Sequence, residues 1–203
     1  MRVTFYIIII TIIVYIMQLV FGMGFTELFS LVPVDALSGY IWQFITYMFL
    51  HDPSSPVHIM ANMVIFLIFG LGAEAALGWR KFIFVYIVSG IGSAVLHVAL
   101  TGVSTILLLG ASGAVFGVLA AYAVLYPRSW VWIPPGIPLP AIAAIAILAL
   151  IELAFGFFGL QEGVANFGHL GGIITGVAIM LYWRHGRSPK RRKTVKEYEF
   201  IWE

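Results

Sequence analysis

The chain has 203 residues, 62% of them hydrophobic and only 10% charged, with a formal net charge of +2. Average soluble domains carry ~25% charged residues, so this composition excludes a soluble globular protein and points to a polytopic membrane protein. The absence of cysteine excludes disulfides, thiol catalysis and Cys-based metal sites.

Spanning helices need ~20 mainly apolar residues. Stretches of this kind lie at 4–22, 56–73, 81–101, 111–126, 138–156 and 165–183, which predicts an all-α bundle of six transmembrane helices. The first stretch reads as a retained helix rather than a cleaved leader. Only Arg2 precedes it, its apolar core is long, and Gly22-Met23-Gly24 is a weak cleavage site. The segment 23–55 is charged only at Glu27, Asp35 and Asp52 and is rich in aromatics, among them Phe25, Tyr40, Trp42 and Tyr47. A freely solvated loop has no use for these rings. The segment is therefore expected to fold and to lie partly in the outer membrane interface, where Trp and Tyr are favoured. A Pro-rich turn (Pro134, Pro135, Pro138, Pro140) leads into the fifth span. The chain divides into a membrane domain, 1–183, and a basic tail, 184–203.

Positive charge sets orientation. Arg2 precedes the first span, Arg80 and Lys81 separate the second from the third, and Arg128 separates the fourth from the fifth. Arg184, Arg187, Lys190, Arg191, Arg192, Lys193 and Lys196 follow the sixth. The segments 23–55, 102–110 and 157–164 hold no Lys or Arg. Every cation thus falls on one side, which places both termini in the cytosol of a multi-pass protein of the plasma (inner) membrane.

The second, fourth and sixth spans then all enter from the outer side. His58 and Asn62 lie in the first two turns of the second, Ser112 opens the fourth, and His169 lies in the first two turns of the sixth. At ~1.5 Å per residue all four fall within about 10 Å of the outer surface. Each has an ordinary explanation. A membrane serine commonly packs and bonds the carbonyl four residues back. His58 and Asn62, on one helical face, could bond across helices. Intramembrane ionisable groups, however, are commonly functional, and together the four suggest acyl-transfer chemistry. A serine hydroxyl needs a base to take its proton, which His169 could do from a neighbouring helix. The oxyanion needs preorganised donors. The N-terminus carrying Ser112, the His58 ring and the Asn62 amide could supply them. Small residues at Gly113 and Gly117, facing Gly172 and Gly176, would let the two helices approach closely.

The only carboxylates near the depth of His169 are Glu152 and Glu162, so the arrangement reads as a Ser-His dyad without a carboxylate orienter. Glu152 reads as an interfacial residue rather than a gate contact. His51 and His97 likewise read as outer interfacial residues rather than metal ligands.

These residues resemble the rhomboid family of intramembrane serine proteases, from Trp42 to Gly176. The nucleophile motif GxSG reads Gly110-Ala111-Ser112-Gly113, HxxGxxxG reads His169, Gly172 and Gly176, and HxxxN reads His58 and Asn62. ExxxGxxxF reads Glu74, Gly78 and Phe82, to which the resemblance gives a structural role. It implies Ser112 as nucleophile and His169 as base, with His58, Asn62 and Ser112 stabilising the oxyanion. It also implies that Phe116 stacks on the histidine, with Gly110, Gly113, Gly172 and Gly176 in support. Two departures stand out: the family's Trp-Arg pair reads Trp42-Gln43, and the usual Ala before the histidine is Gly168.

The implied function is cleavage of transmembrane-helix substrates near the outer face, in contact with membrane lipids and without metal, cofactor or nucleic acid. A substrate helix would enter beside the fifth span, a lateral gate, with 157–164 as a cap. The competing readings are a catalytically inactive rhomboid-like protein that binds membrane clients, and a small transporter using His58 and His169 as proton relays. The lack of an inverted repeat counts against the transporter. Neither an HExxH motif nor a pair of intramembrane aspartates is present.

Overall fold

The computed structural model describes residues 2–133, 136–159 and 165–185. Pro134, Pro135, Glu162, most of the expected cap and all but the first two residues of the basic tail lie outside the described residues.

Long apolar stretches without internal proline form α1 (Val3–Phe21), α5 (Pro56–Leu77), α6 (Trp79–Thr101) and α8 (Ala141–Phe158). Among the described residues these four are long and apolar enough to cross a membrane. Two further helices complete the bundle. α7 (Ser112–Leu125) is short at 14 residues, and α9 (Asn166–His185) is diluted in apolar content by Asn166, His169 and its glycines. Between α1 and α5 the chain makes α2 (Met23–Phe29), α3 (Pro33–Leu37), α4 (Gln43–Thr46) and a 3-10 turn at Tyr47–Phe49. The aromatic segment is thus folded. α1 turns Ile9, Ile12, Ile13 and Ile16 outward, as suits a lipid-facing helix.

One correction concerns the fold class. The molecule is mostly helical rather than all-α, because β1 (Trp130–Ile133) and β2 (Ile137–Pro140) form an antiparallel hairpin. Its register pairs Trp130 with Pro140 and Trp132 with Pro138. In a two-stranded ribbon every strand is an edge, so proline's missing N–H is tolerated there. The fifth span therefore begins at Ala141, not at 138.

The ExxxGxxxF residues act in three different ways. The Glu74 carboxylate accepts hydrogen bonds from the Val3 and Thr4 N–H groups (2.7 and 2.9 Å) and from the Thr4 hydroxyl (2.6 Å). It thereby caps the N-terminus of α1, whose own N-cap residue Arg2 makes no side-chain cap bond. Gly78, at φ +75°, reverses the chain between α5 and α6 where a side chain would be strained. Phe82 is fully buried and stacks on Phe66 in the core shared by these helices. Replacing Glu74 by alanine leaves three donors, two of them buried, without their acceptor. It should lower stability by about 2–3 kcal/mol, as for hydrogen bonds to a charged group. Thermal unfolding in detergent measures this, and an unchanged midpoint would remove the cap from the fold's supports.

Gln43 occupies the place of the family's arginine and still organises the first loop. It is buried; its Oε1 accepts from the Val32 N–H (3.0 Å) and its Nε2 reaches the Leu28 carbonyl (3.5 Å). Trp42 donates from Nε1 to the same carbonyl. Leu31 and Leu108 exchange two backbone hydrogen bonds, tying this loop to the segment before α7. Gln18 of α1 receives the His51 N–H at 2.9 Å and donates to Thr26.

Candidate active site

Two backbone-to-backbone helix contacts position the site. A Cβ on Gly172 would overlap the carbonyl of Gly113, and one on Gly176 would overlap that of Gly117. α9 therefore lies directly on α7 with no side chain between them. On its other side, a Cβ at Gly171 would come within 2.7 Å of the Gly92 carbonyl of α6. Gly168 is also tight, its notional Cβ lying 3.1 Å from Ser93 Oγ.

This packing brings Ser112, the first residue of α7, to His169 at the end of the first turn of α9. Ser112 Oγ lies 2.8 Å from His169 Nε2. The Phe116 ring, one turn after the serine, stacks on the imidazole with centroids 4.6 Å apart and planes at 27°. Val115 makes the first hydrogen bond within α7, to Ala111 O. The N–H groups of Ser112, Gly113 and Ala114 accordingly face the helix N-terminus. Gly110, at φ +128°, backs onto His58: a Cβ there would lie 3.3 Å from the His58 ring and 3.7 Å from Ser112 Oγ. Asn62 donates one N–H to the His58 carbonyl at 3.0 Å, and its amide carries a second. Asn62 and Ser112 open together onto a cavity of about 520 Å³. This apolar space runs between α5, α7 and α8, past Ile65, Phe69, Leu119 and Ile145, to Trp130 and Trp132 of β1.

Two residues depart from the interfacial reading. His51 is fully buried, with its ring edge-on to His58 at 5.1 Å. Its Nε2 accepts the Ala111 N–H at 3.4 Å, immediately before the serine. Burial, aided by neighbouring His58, pushes His51 down to about 3, so the ring is neutral and able to accept. Its sequence signal is its place seven residues before His58, but nothing local says that it turns inward.

Glu152 is the second, and the more consequential. It is 8% exposed, and its Oε2 lies 3.0 Å from His169 Nδ1 and 2.8 Å from Asn166 Nδ2. The Nδ1 contact has the separation of an ion pair without the alignment of a hydrogen bond. A carboxylate does therefore reach the histidine, contrary to the expectation of an imidazole with none beside it. Glu152 is the single ionisable residue in the sequence of α8, and that alone marks it as a candidate. Asn166 stands three residues before His169, on the same helical face.

Together these features describe a mostly helical, multi-pass membrane protein with a serine and a histidine in contact below a helix N-terminus. Residues 38–185 match the family model of the rhomboid domain, and the chain belongs to the rhomboid family. It is 33% identical over 165 residues to rhomboid protease AarA of Providencia stuartii, covering 72% of this chain and 57% of that protein. It is 32% identical over 143 residues to rhomboid-like protease 3 of Toxoplasma gondii, covering 70% and 52%. With RHOMBOID-like protein 6, mitochondrial, of Arabidopsis thaliana it shares 31% over 138 residues, covering 68% and 42%. The chain spans about half the length of these curated relatives.

Proposed function

We propose that this protein is an intramembrane serine endopeptidase that cuts transmembrane helices near the outer face of the membrane. One observation carries the assignment: Ser112 Oγ stands 2.8 Å from His169 Nε2 at the N-terminus of α7. His169 takes the hydroxyl proton as Ser112 Oγ attacks the peptide carbonyl carbon. The negative charge that develops on the carbonyl oxygen meets the N–H groups of the first turn of α7, the second Asn62 N–H and the His58 ring. His169 then returns the proton to the leaving amine, and the C–N bond breaks. Water, deprotonated by the same imidazole, attacks the acyl-enzyme and releases Ser112.

The setting fits a membrane substrate. α7 has 14 residues. It is thus roughly 21 Å long against a hydrocarbon core of ~30 Å. With its C-terminus at the inner boundary, Ser112 lies below the outer surface, where water reaches it by a short path. The distribution of Lys and Arg supports this orientation, with both termini and the basic tail 184–203 cytosolic. The cavity beside Ser112, walled by α5 and α8, suits an apolar segment that enters laterally once its helix has unwound.

Fluorophosphonate labelling of the purified protein, followed by cleavage of a transmembrane substrate in liposomes, tests the assignment. Wild type should label and cleave, and Ser112→Ala should do neither. A folded wild type that does neither would favour client binding without catalysis. Asn62→Ala should reduce turnover by ~10²-fold with the fold intact, as for loss of one oxyanion donor; unchanged turnover would remove Asn62 from the site.

A further inference from the structure

We infer that Glu152 is the positioning residue for His169, so that the site works as a Ser-His-Glu relay buttressed by Asn166. This rests on Ser112 and His169 acting as proposed above. For His169 to accept the Ser112 proton at Nε2, its own proton must sit on Nδ1. That N–H is buried and needs an acceptor. Glu152 Oε2, 3.0 Å away though not aligned for a hydrogen bond in this state, is an acceptor within reach. The same oxygen accepts the Asn166 Nδ2 hydrogen at 2.8 Å, which fixes the carboxylate from the other side.

A plain inter-helix tie is the simpler explanation for this cluster, and its chemistry argues otherwise. A neutral amide would join α8 to α9 as well, without the cost of burying a carboxylate. A carboxylate gains its advantage when the imidazole becomes positive, and that happens only while His169 holds the Ser112 proton. The imperfect alignment of the Nδ1 contact suits a resting site, since such bonds tighten as the reaction proceeds.

The helices are built for this approach. Gly156, one turn after Glu152, faces the Phe167 ring so closely that a Cβ would come within 2.9 Å of it. Glycine at this point lets α8 come near enough for Glu152 to reach His169. α8 also walls the cavity that opens at Ser112. The helix that meets the substrate thus carries the group that orients the base.

The experiment compares wild type, Ser112→Ala, Glu152→Gln, Glu152→Leu, Asn166→Ala and the double variant Glu152→Leu/Asn166→Ala in liposomes. It measures kcat and KM for a transmembrane substrate, the fluorophosphonate labelling rate, thermal unfolding, and the imidazole ¹⁵N shifts of His169. Glu152→Leu should lower kcat and labelling by ~10²-fold. KM should move by no more than about twofold, because an orienter acts on the reaction rather than on binding. Glu152→Gln keeps an acceptor without the charge and should fall between wild type and Glu152→Leu. His169 should show one tautomer, with the proton on Nδ1, in wild type and a mixture in Glu152→Leu. Asn166→Ala should add little to the loss in Glu152→Leu, since the two act through one contact.

Wild-type kcat in Glu152→Leu would overturn the inference. So would a loss in Glu152→Leu that tracks its unfolding while Glu152→Gln keeps full activity, which is the signature of a structural tie. If wild type labels no better than Ser112→Ala, the nucleophile itself is misassigned and this inference falls with it. Labelled wild type with indifferent Glu152 variants removes Glu152 alone.

Discussion

Cleavage of a transmembrane substrate should fall to background in Ser112→Ala and in His169→Ala, a loss of ~10⁴–10⁶-fold in kcat for either. In the proposed mechanism the two groups perform one proton transfer across 2.8 Å, so neither would have a partial function without the other. The double variant should therefore be no worse than either single one, and that non-additivity separates a catalytic pair from two independent supports. Stability should distinguish the variants where activity does not. Ser112→Ala removes one hydroxyl and one hydrogen bond, worth about 1 kcal/mol net. His169→Ala also loses the stacking with Phe116 and the contact with Glu152, and should unfold at a lower temperature. kcat in liposomes with thermal unfolding in detergent measures both. Residual cleavage in purified Ser112→Ala would sink the nucleophile, whatever the fate of the histidine.

The extent to which sequence foretells this structure varies with the range of the force involved. Apolar runs locate the long helices to within a few residues, since a span is defined by its own length and composition. Ser112, His169, His58 and Asn62 are identifiable in the sequence as chemistry-bearing groups on apolar spans, and their expected common depth rests on the distribution of charge and on helical rise. The hairpin at Trp130–Pro140 was less legible: prolines announce a turn, and only the pairing of two short edge strands makes it a ribbon. The inward placement of Glu152 and His51 escapes the sequence for a common reason. Whether a polar side chain on an apolar helix or in a loop faces the interface or the interior depends on how that element is rotated against its neighbours. That rotation follows from contacts between different helices, such as Gly156 of α8 against Phe167 of α9. Gln43 shows the converse. It stands where the family's motif has arginine, yet its amide bonds two backbone groups of the same loop.

Packing should prove as demanding of identity as the chemistry. Gly172→Val should cost several kcal/mol and remove most activity, because the neighbour it meets is the Gly113 carbonyl, a backbone group that has no rotamer to change. Overpacking a well-filled contact typically costs 1–3 kcal/mol, and more where nothing can yield. Here the only relief is to push α9 away from α7, which lengthens the Ser112–His169 contact. A displacement of about 1 Å at reacting atoms can cost 10²-fold in rate. Gly172→Ala should already show both effects in smaller measure, with activity lost at temperatures where the protein remains folded. Gly24 supplies the control. It lies in the helix α2 with nothing within 4 Å of a notional Cβ, so Gly24→Ala should leave unfolding temperature and kcat unchanged or slightly raise the former. Equal tolerance at Gly172 and Gly24 would mean that α7 and α9 do not meet backbone to backbone. The serine and histidine would then need another means of being held together.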